Sequence, residues 1–392
     1  MLRQRINDDL PYLMEFRHDL HMNPELMYEE IRTSQRVREE LEKVGVSYVG
    51  GLAGGTGIVA WLPGAGGHTV ALRADMDALP IQEETELPYA SQAAGKMHAC
   101  GHDGHTTVLV GAVRALAAEE RANNILFVFQ PAEEGGAGAD RLVKEGALEG
   151  KVIGKPVDVM YGLHGNPWID QGVFTVRNGP MMAATDEFKV TVHGRGGHAA
   201  MPHRTSDPVI ALNQMVSAIQ TIASRNVSPL DSIVFSVTTL AAGGAHNVIP
   251  DCTTFGGTMR TLLPETRELG KKRFLDICQG VANAMDCQAN IDWHEGYPVT
   301  TNDPWATDRF RDIARQMDAD KVREEPEPTM GGEDFSYYGY KVPACFYYAG
   351  LRRPNDDCPA GLHTSRFDFN DAVIGDCVEM MCRLAIAPVQ RP

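Results

Sequence analysis

Apolar positions recur along this chain with two different periods, and the switches between them mark its elements. From Thr33 the segment TSQRVREELEKVGV places Val37, Leu41 and Val44 at helical spacing, opens on capping-type residues and stops at Gly45, which predicts an amphipathic helix. The runs GIVAWL (57–62), TVALRADMD (69–77), NILFVFQP (124–131) and VDVMYGLHG (157–165) read instead as strands, the last three apolar enough to be buried on both faces. They predict an α/β domain with a central mixed, largely parallel sheet flanked by helices.

Between about Asp186 and Gly296 the order changes. DEFKVTVHG is a strand, DPVIALNQMVSAIQTIA a helix, SIVFSVTTL and TTFGGTMRTL strands, PETRELGKKRFLDICQGVANAM a helix and QANIDWHEG a strand. That β-α-β-β-α-β succession is the order of a ferredoxin-like α+β unit. ACFYYAG and the closing helix NDAVIGDCVEMMCRLAIA then return to α/β material that completes the first sheet. The expected organisation is a main domain in two parts, 1–185 and 297–392, interrupted by an inserted domain at 186–296, in keeping with a length of 392 residues.

Composition changes little, since 43% apolar and 22% charged residues describe an ordinary globular chain. Charge says more: 36 Lys and Arg against 52 Asp and Glu leave a net −16, which repels nucleic-acid and anionic membrane partners. Neither kind of partner is expected, and a carboxylate-bearing substrate would need a local cation. No apolar run near the start is long enough for a signal peptide and none reaches membrane-spanning length, so a cytoplasmic location is expected. The eight cysteines form no C-x-x-C pair, and most read as reduced core thiols, Cys100 being the exception.

The candidate chemistry begins at MHACGHDGHTT, where Cys100 and His102 stand two apart and face the same side if the backbone is extended. A thiolate and an imidazole could then share a metal. Further ligand-type groups follow apolar runs or sit in loops: Glu133 and Glu134 in QPAEE, His164 in YGLHG and His363 in GLHTSRFDF. In α/β sheets, sites lie beyond the carboxyl ends of strands, where such groups can converge. Blander readings apply elsewhere. Asp103 and His105, at the start of the helix TTVLVGAVRALAAEE, take structural roles or support a metal ligand from behind it, His18 and His21 are packing or surface histidines of the first helix, and Glu333 and Asp334 suit helix capping.

HACGHDGH, QPAEEG, GLHG, GRGGHAAMPH, MGGEDFSYY and LHTSRFDFND, with RHDLHMNPEL near the start and GTMRTLLPETR in the insert, give the chain its resemblance. It resembles the hippurate hydrolase and auxin-conjugate hydrolase branch of the co-catalytic metallopeptidases, within the aminoacylase and carboxypeptidase family, over nearly its whole length. The resemblance implies two divalent metal ions bridged by Cys100, with Glu134 and His363 completing one site and His102 and His164 the other. It implies Glu133 as the catalytic base. Adjacent glutamates in an extended segment project differently, so one can bind metal while its neighbour works on water. The ligand types admit zinc, manganese, nickel or cobalt.

The resemblance further implies that His198 reaches the substrate carbonyl and stabilises an oxyanion, and that Asn247 and Arg260 contact the substrate's carboxylate end. It implies a homodimer joined through the insert, which would serve as lid and dimerisation domain. Where the wider family has a His-x-Asp strand end and a bridging aspartate, this chain has Asp75, Asp77 and Cys100. Asp77 is expected to orient a ligating histidine; Asp75 is left without a role. The implied activity is metal-dependent hydrolysis of N-acyl amino acids, hippurate-like, N-acetyl or related, to a carboxylic acid and a free amino acid. The alternatives are a metallo-dipeptidase or aminopeptidase, and a non-catalytic metal-dependent binding protein on the same scaffold.

Overall fold

Two of the most apolar segments, Thr69–Asp75 and Asn124–Gln130, are buried at every position and run parallel, Thr69 opposite Asn124 and Asp75 opposite Gln130. Around them the computed structural model, which describes residues 2–390, forms two units. One holds the chain up to Met181, Thr301–Glu327 and the stretch from Asp334 onward; the other holds Met182–Thr300 and Pro328–Glu333. The second is wider at both ends than the expected 186–296 and includes a returning segment.

The first unit is built on an eight-stranded sheet, in the order Ser47–Leu52, Gly57–Leu62, Asn124–Gln130, Thr69–Asp75, Val159–Asp170, Ala344–Arg352, Phe174–Val176, Val322–Glu324. Its middle four strands are parallel and its flanks bring in antiparallel pairs, so the sheet is mixed. Helices Leu2–Met22, His102–Ala117 and Ile374–Ile386 pack against one another, and the middle one is buried almost throughout. Glycine permits the approach of the last two: a Cβ on Gly111 would come within 2.7 Å of Val378.

The helix predicted from Thr33 begins at Ile31 and ends at Lys43, with Val37 and Leu41 buried as the spacing required. Its start is capped from outside: the Glu25 carboxylate accepts the N–H groups of Arg32 at 2.9 Å and Thr33 at 2.8 Å. The strand expected to end at Gly165 runs on to Asp170, because the Ala344–Arg352 strand stays paired with it past His164.

The second unit has a four-stranded antiparallel sheet in the order Ile233–Ala242, Cys252–Thr261, Ala184–His193, Gln288–Glu295. This is the strand order of a ferredoxin-like unit. Burial alternates along Ala184–His193, and Phe188, Val190 and Val192 join a core with helices Pro208–Thr221 and Pro264–Ala284. Among the described residues no helix is long and apolar enough to cross a membrane.

Candidate metal centre

Beyond the carboxyl ends of the two central strands the chain turns sharply. Pro131, which has no N–H, ends one ladder, and Ala132 follows with φ of 56°. The turn exposes donors that need acceptors in a buried place. Glu30 supplies one, accepting the Ala132 N–H at 2.8 Å, and Asp77 supplies two, accepting the N–H groups of Glu133 and Glu134 at 2.9 Å each. Tyr28 donates to the Gly136 carbonyl further along. The two glutamates are therefore carried on a loop fixed through its backbone, not on an extended segment.

The Cys100–His102 stretch also departs from an extended backbone. Gly101 has φ of 85° and His102 already lies in the first turn of helix His102–Ala117. The left-handed turn at glycine still brings the two side chains to one point. His164 lies within its strand, and its Nδ1 faces the Gly165 carbonyl at 2.8 Å, which leaves Nε2 for a ligand. His363 arrives on a loop with φ of 60°, its N–H bonded to the Ala99 carbonyl at 2.8 Å. A non-glycine residue in that region marks a position held by its surroundings.

Cys100 Sγ is the meeting point, 3.3 Å from Nε2 of His164 and 3.3 Å from Nε2 of His363. Nε2 of His363 is in turn 3.1 Å from Glu134 Oε1. Ligand atoms of Cys100, His102 and His164 lie within 4.8 Å of one another, as do those of Cys100, Glu134 and His363. These are two three-membered sets sharing the thiol. The carboxylates of Glu133 and Glu134 also lie within 4.8 Å of a ring nitrogen of His102.

The electrostatics ask for cations. Burial raises the Cys100 thiol well above its ordinary value, and the carboxylates of Glu134, Glu133 and Asp75 raise it further. Burial opposes charge on His102, yet Asp75 and Asp77 outweigh it and push its pKa up to about 10. Burial depresses His164 well below the ordinary value, with His105 adding to it, so that ring is neutral and fit to ligate. His102 is 1% exposed, and neither ring nitrogen has a hydrogen-bond partner among the described residues, although Asp77 Oδ1 stands 3.4 Å from Nδ1. A buried polar group left so costs about 1–3 kcal/mol unless something coordinates it. Thiolate, imidazole and carboxylate donors around surplus negative charge fit a pair of divalent cations.

Asp75, without a role in the sequence reading, and His105, Asp334 and Asp77 support the centre from around it. Asp75 faces His105 Nδ1 at 2.7 Å, and His105 Nε2 accepts the Gly165 N–H at 2.8 Å. His105 is therefore a neutral Nδ1–H tautomer bracing the residue after His164. With both nitrogens engaged, it is not available as a ligand. Asp334 does not serve as a simple helix cap: it receives Arg73 at 3.0 Å, Gln130 at 2.7 Å and the Ala139 N–H at 3.0 Å, and its own N–H points to Glu133 Oε1 at 3.4 Å. The visible signal was Arg73, a charge amid the apolar run TVALRAD. Asp77, expected to orient a histidine, stands 3.4 Å from Nδ1 of His102 and in addition accepts the N–H groups of Glu133 and Glu134.

His198, Asn247 and Arg260 all belong to the second unit. His198 is exposed in a short ribbon formed by Gly197–His198 and Val248–Ile249, and the Asn247 carbonyl accepts the Ala199 N–H at 3.0 Å. The ribbon thus brings His198 and Asn247 together. Nδ1 of His198 accepts the Ala200 N–H at 3.1 Å, which places its proton on Nε2. Arg260, on strand Cys252–Thr261, donates through Nε to Thr258 Oγ1 at 3.1 Å. Burial lowers its pKa, and Glu187 and Asp186 offset this only in part.

Residues 71–387 match the Peptidase family M20/M25/M40. An IAA-amino acid hydrolase (ILR1-like 4) of Arabidopsis thaliana is 40% identical over 374 residues, covering 94% of this chain and 83% of that protein. The hippurate hydrolase of Campylobacter jejuni is 37% identical over 374 residues, covering 95% of each. A Bacillus subtilis crystal structure described as a dinuclear metal binding peptidase of the M20 family superposes with a TM-score of 0.83 at 30% identity, over 97% of this chain and 98% of that one.

Proposed function

The chain belongs to Peptidase family M20/M25/M40 and is a dinuclear metal-dependent amidohydrolase, and from that premise we propose that it hydrolyses N-acyl amino acids through Cys100, His102, Glu134, His164 and His363, with Glu133 as base. Cys100 would bridge the two cations, Glu134 and His363 completing one site and His102 and His164 the other. The observation that carries this reading is the pair of ligand sets meeting at Cys100 with Glu133 beside them. Zinc, manganese, cobalt and nickel all suit these donors.

When bound, two divalent cations supply Lewis acidity, lowering the pKa of a water and polarising the amide carbonyl. Glu133 takes the proton from that water as it attacks and returns it to the leaving nitrogen, so one amide and one water become a carboxylic acid and a free amino acid. The backbone hold on Glu133 keeps its carboxylate aimed during both transfers. His198, with its proton on Nε2, is a donor suited to the developing oxyanion. Arg260, half-buried beside a hydroxyl and short of counter-charge, suits the substrate carboxylate, with Asn247 as its companion.

A homodimer formed by the second unit belongs to the same reading. Ile233–Ala242 is one of the two edge strands of its sheet and exposes Val234 and Leu240, so it offers backbone and apolar surface to a second copy. A cytoplasmic location accompanies it.

The test is an assay of hippurate and N-acetyl amino acids with added metal, on the wild type and on Glu133→Gln. Activity in the wild type, and a variant that keeps two metals per chain while losing activity, is the expected result. A fully active variant removes Glu133 as base. A wild type that binds metal and turns over none of these substrates favours the non-catalytic scaffold, and turnover of free dipeptides alone favours the peptidase alternative.

A further inference from the structure

The first helix buries two cations on one face. Arg17 and His21, one turn apart in the segment RHDLHMNPEL, are both 0% exposed. Nη1 of Arg17 lies 3.0 Å from Asp103 Oδ2 and 3.2 Å from Asp368 Oδ1, and its Nε pairs with Asp371. Nδ1 of His21 lies 2.8 Å from the same Asp103 oxygen, and its Nε2 is 3.3 Å from Glu83.

The positions of the partners give this network its meaning. Asp103 directly follows His102 and lies three residues beyond Cys100. Asp368 and Asp371 lie on the stretch that leaves His363. One guanidinium therefore ties together two chain segments that carry ligands of the proposed centre. Burying ions costs several kcal/mol apiece, and apolar packing often stabilises a fold as well or better, so stability is a weak reason for such a cluster. Fixed geometry is a stronger one. Burial opposes charge on Arg17, but Asp103, Asp368 and Asp371 outweigh it and hold the guanidinium protonated.

We propose that Arg17 and His21 are positioning residues for the metal centre, locking the segment of Cys100 and His102 to the segment of His363 so that the Cys100, Glu134 and His363 set is formed before metal arrives. The His102 and His164 set does not depend on them, because His164 is braced from another direction by Gly165 and His105. Loss of the lock therefore weakens one cation site and spares the other.

The inference rests on the metal assignment made above. It is tested on the full chain with Asp368→Asn and, independently, His21→Gln. Asp368 is 8% exposed and also pairs with the half-exposed Arg353, so its neutralisation leaves Arg17, His21, Asp103 and Asp371 in place. Each protein is stripped of metal and titrated with Co(II), following stoichiometry by calorimetry and the Cys100 thiolate-to-cobalt absorption. The wild type is expected to bind two equivalents. The variants should bind one as the wild type does and the other on the order of 10- to 100-fold more weakly. Their kcat should recover in excess metal with KM unchanged. Two equivalents at wild-type affinity in both variants overturn the inference. So does equal weakening of both equivalents alongside a lower melting temperature of the metal-free chain, which is the mark of a purely structural cluster. A wild type that binds fewer than two equivalents overturns the metal assignment itself, and this inference with it.

Discussion

Asp77 holds Glu133 by its backbone: Oδ1 of Asp77 accepts the Glu133 N–H at 2.9 Å, while Oδ2 accepts the next N–H, that of Glu134, at 2.9 Å. One buried carboxylate thus fixes both the proposed base and a proposed ligand through main-chain atoms. In Asp77→Asn an amide NH2 must face one of those N–H groups, so a buried donor loses its acceptor. A loss of about 1–3 kcal/mol in urea unfolding is expected, together with a lower kcat. A variant as stable and as active as the wild type would contradict the relationship.

Removing metal should abolish activity reversibly, and the ligand variants should separate the two sites. His363→Ala takes away a ligand of one set only and should leave one tightly bound equivalent. Cys100→Ala takes away the shared ligand and should weaken both. Alkylation is a poorer probe, since Cys252 and Cys358 are exposed and Cys100 is a buried thiol. Equal stoichiometry in the two variants, measured by elemental analysis after dialysis, would count against Cys100 as the bridge.

The centre was legible in the sequence to the extent that its residues announce themselves locally. Glu133 and Glu134 follow an apolar β-run, His164 lies within one, and Cys100 and His102 sit at a glycine before a helix, so type and placement agreed. What escaped was decided by distant pairing. His21 meets Asp103 across 82 positions, and Arg73 meets Asp334 across 261. No local pattern distinguishes such a histidine from one on a helix surface. The same limit explains Asp77, whose partners are backbone N–H groups 56 and 57 positions on, invisible to any reading of side-chain types. In the second unit the strand order followed from element succession, because hairpin and crossover rules leave few arrangements for β-α-β-β-α-β.

His198 and Arg260 should separate kinetically. A donor to a developing oxyanion acts in the transition state, so His198→Ala should lower kcat by roughly 100- to 1000-fold with little change in KM. A carboxylate grip acts in ground and transition state alike. Arg260→Ala should therefore raise KM about 10- to 100-fold, in line with a charged hydrogen bond, and spare kcat. Steady-state kinetics on hippurate check both, and an unchanged kcat/KM in either variant withdraws that residue from the substrate site.

Stability should fall as the medium turns alkaline, and His21 supplies the reason. Burial works against its charge, but Asp103 and Glu83 outweigh burial and push its pKa from 6.5 up to about 9, with Arg17 opposing them. Tyr89 and His98 also face it, at ring separations of 5.8 Å and 6.3 Å. Between about pH 6.5 and 9 the folded chain keeps a proton that the unfolded chain releases. The contribution is therefore complete below pH 6.5 and disappears as pH rises through 9, roughly 3 kcal/mol in all. Unfolding by urea from pH 6 to pH 9.5 should show the wild type declining more steeply than His21→Gln, with the two curves converging at the alkaline end. Curves that run parallel across this window would show that His21 is not a charged partner of Asp103.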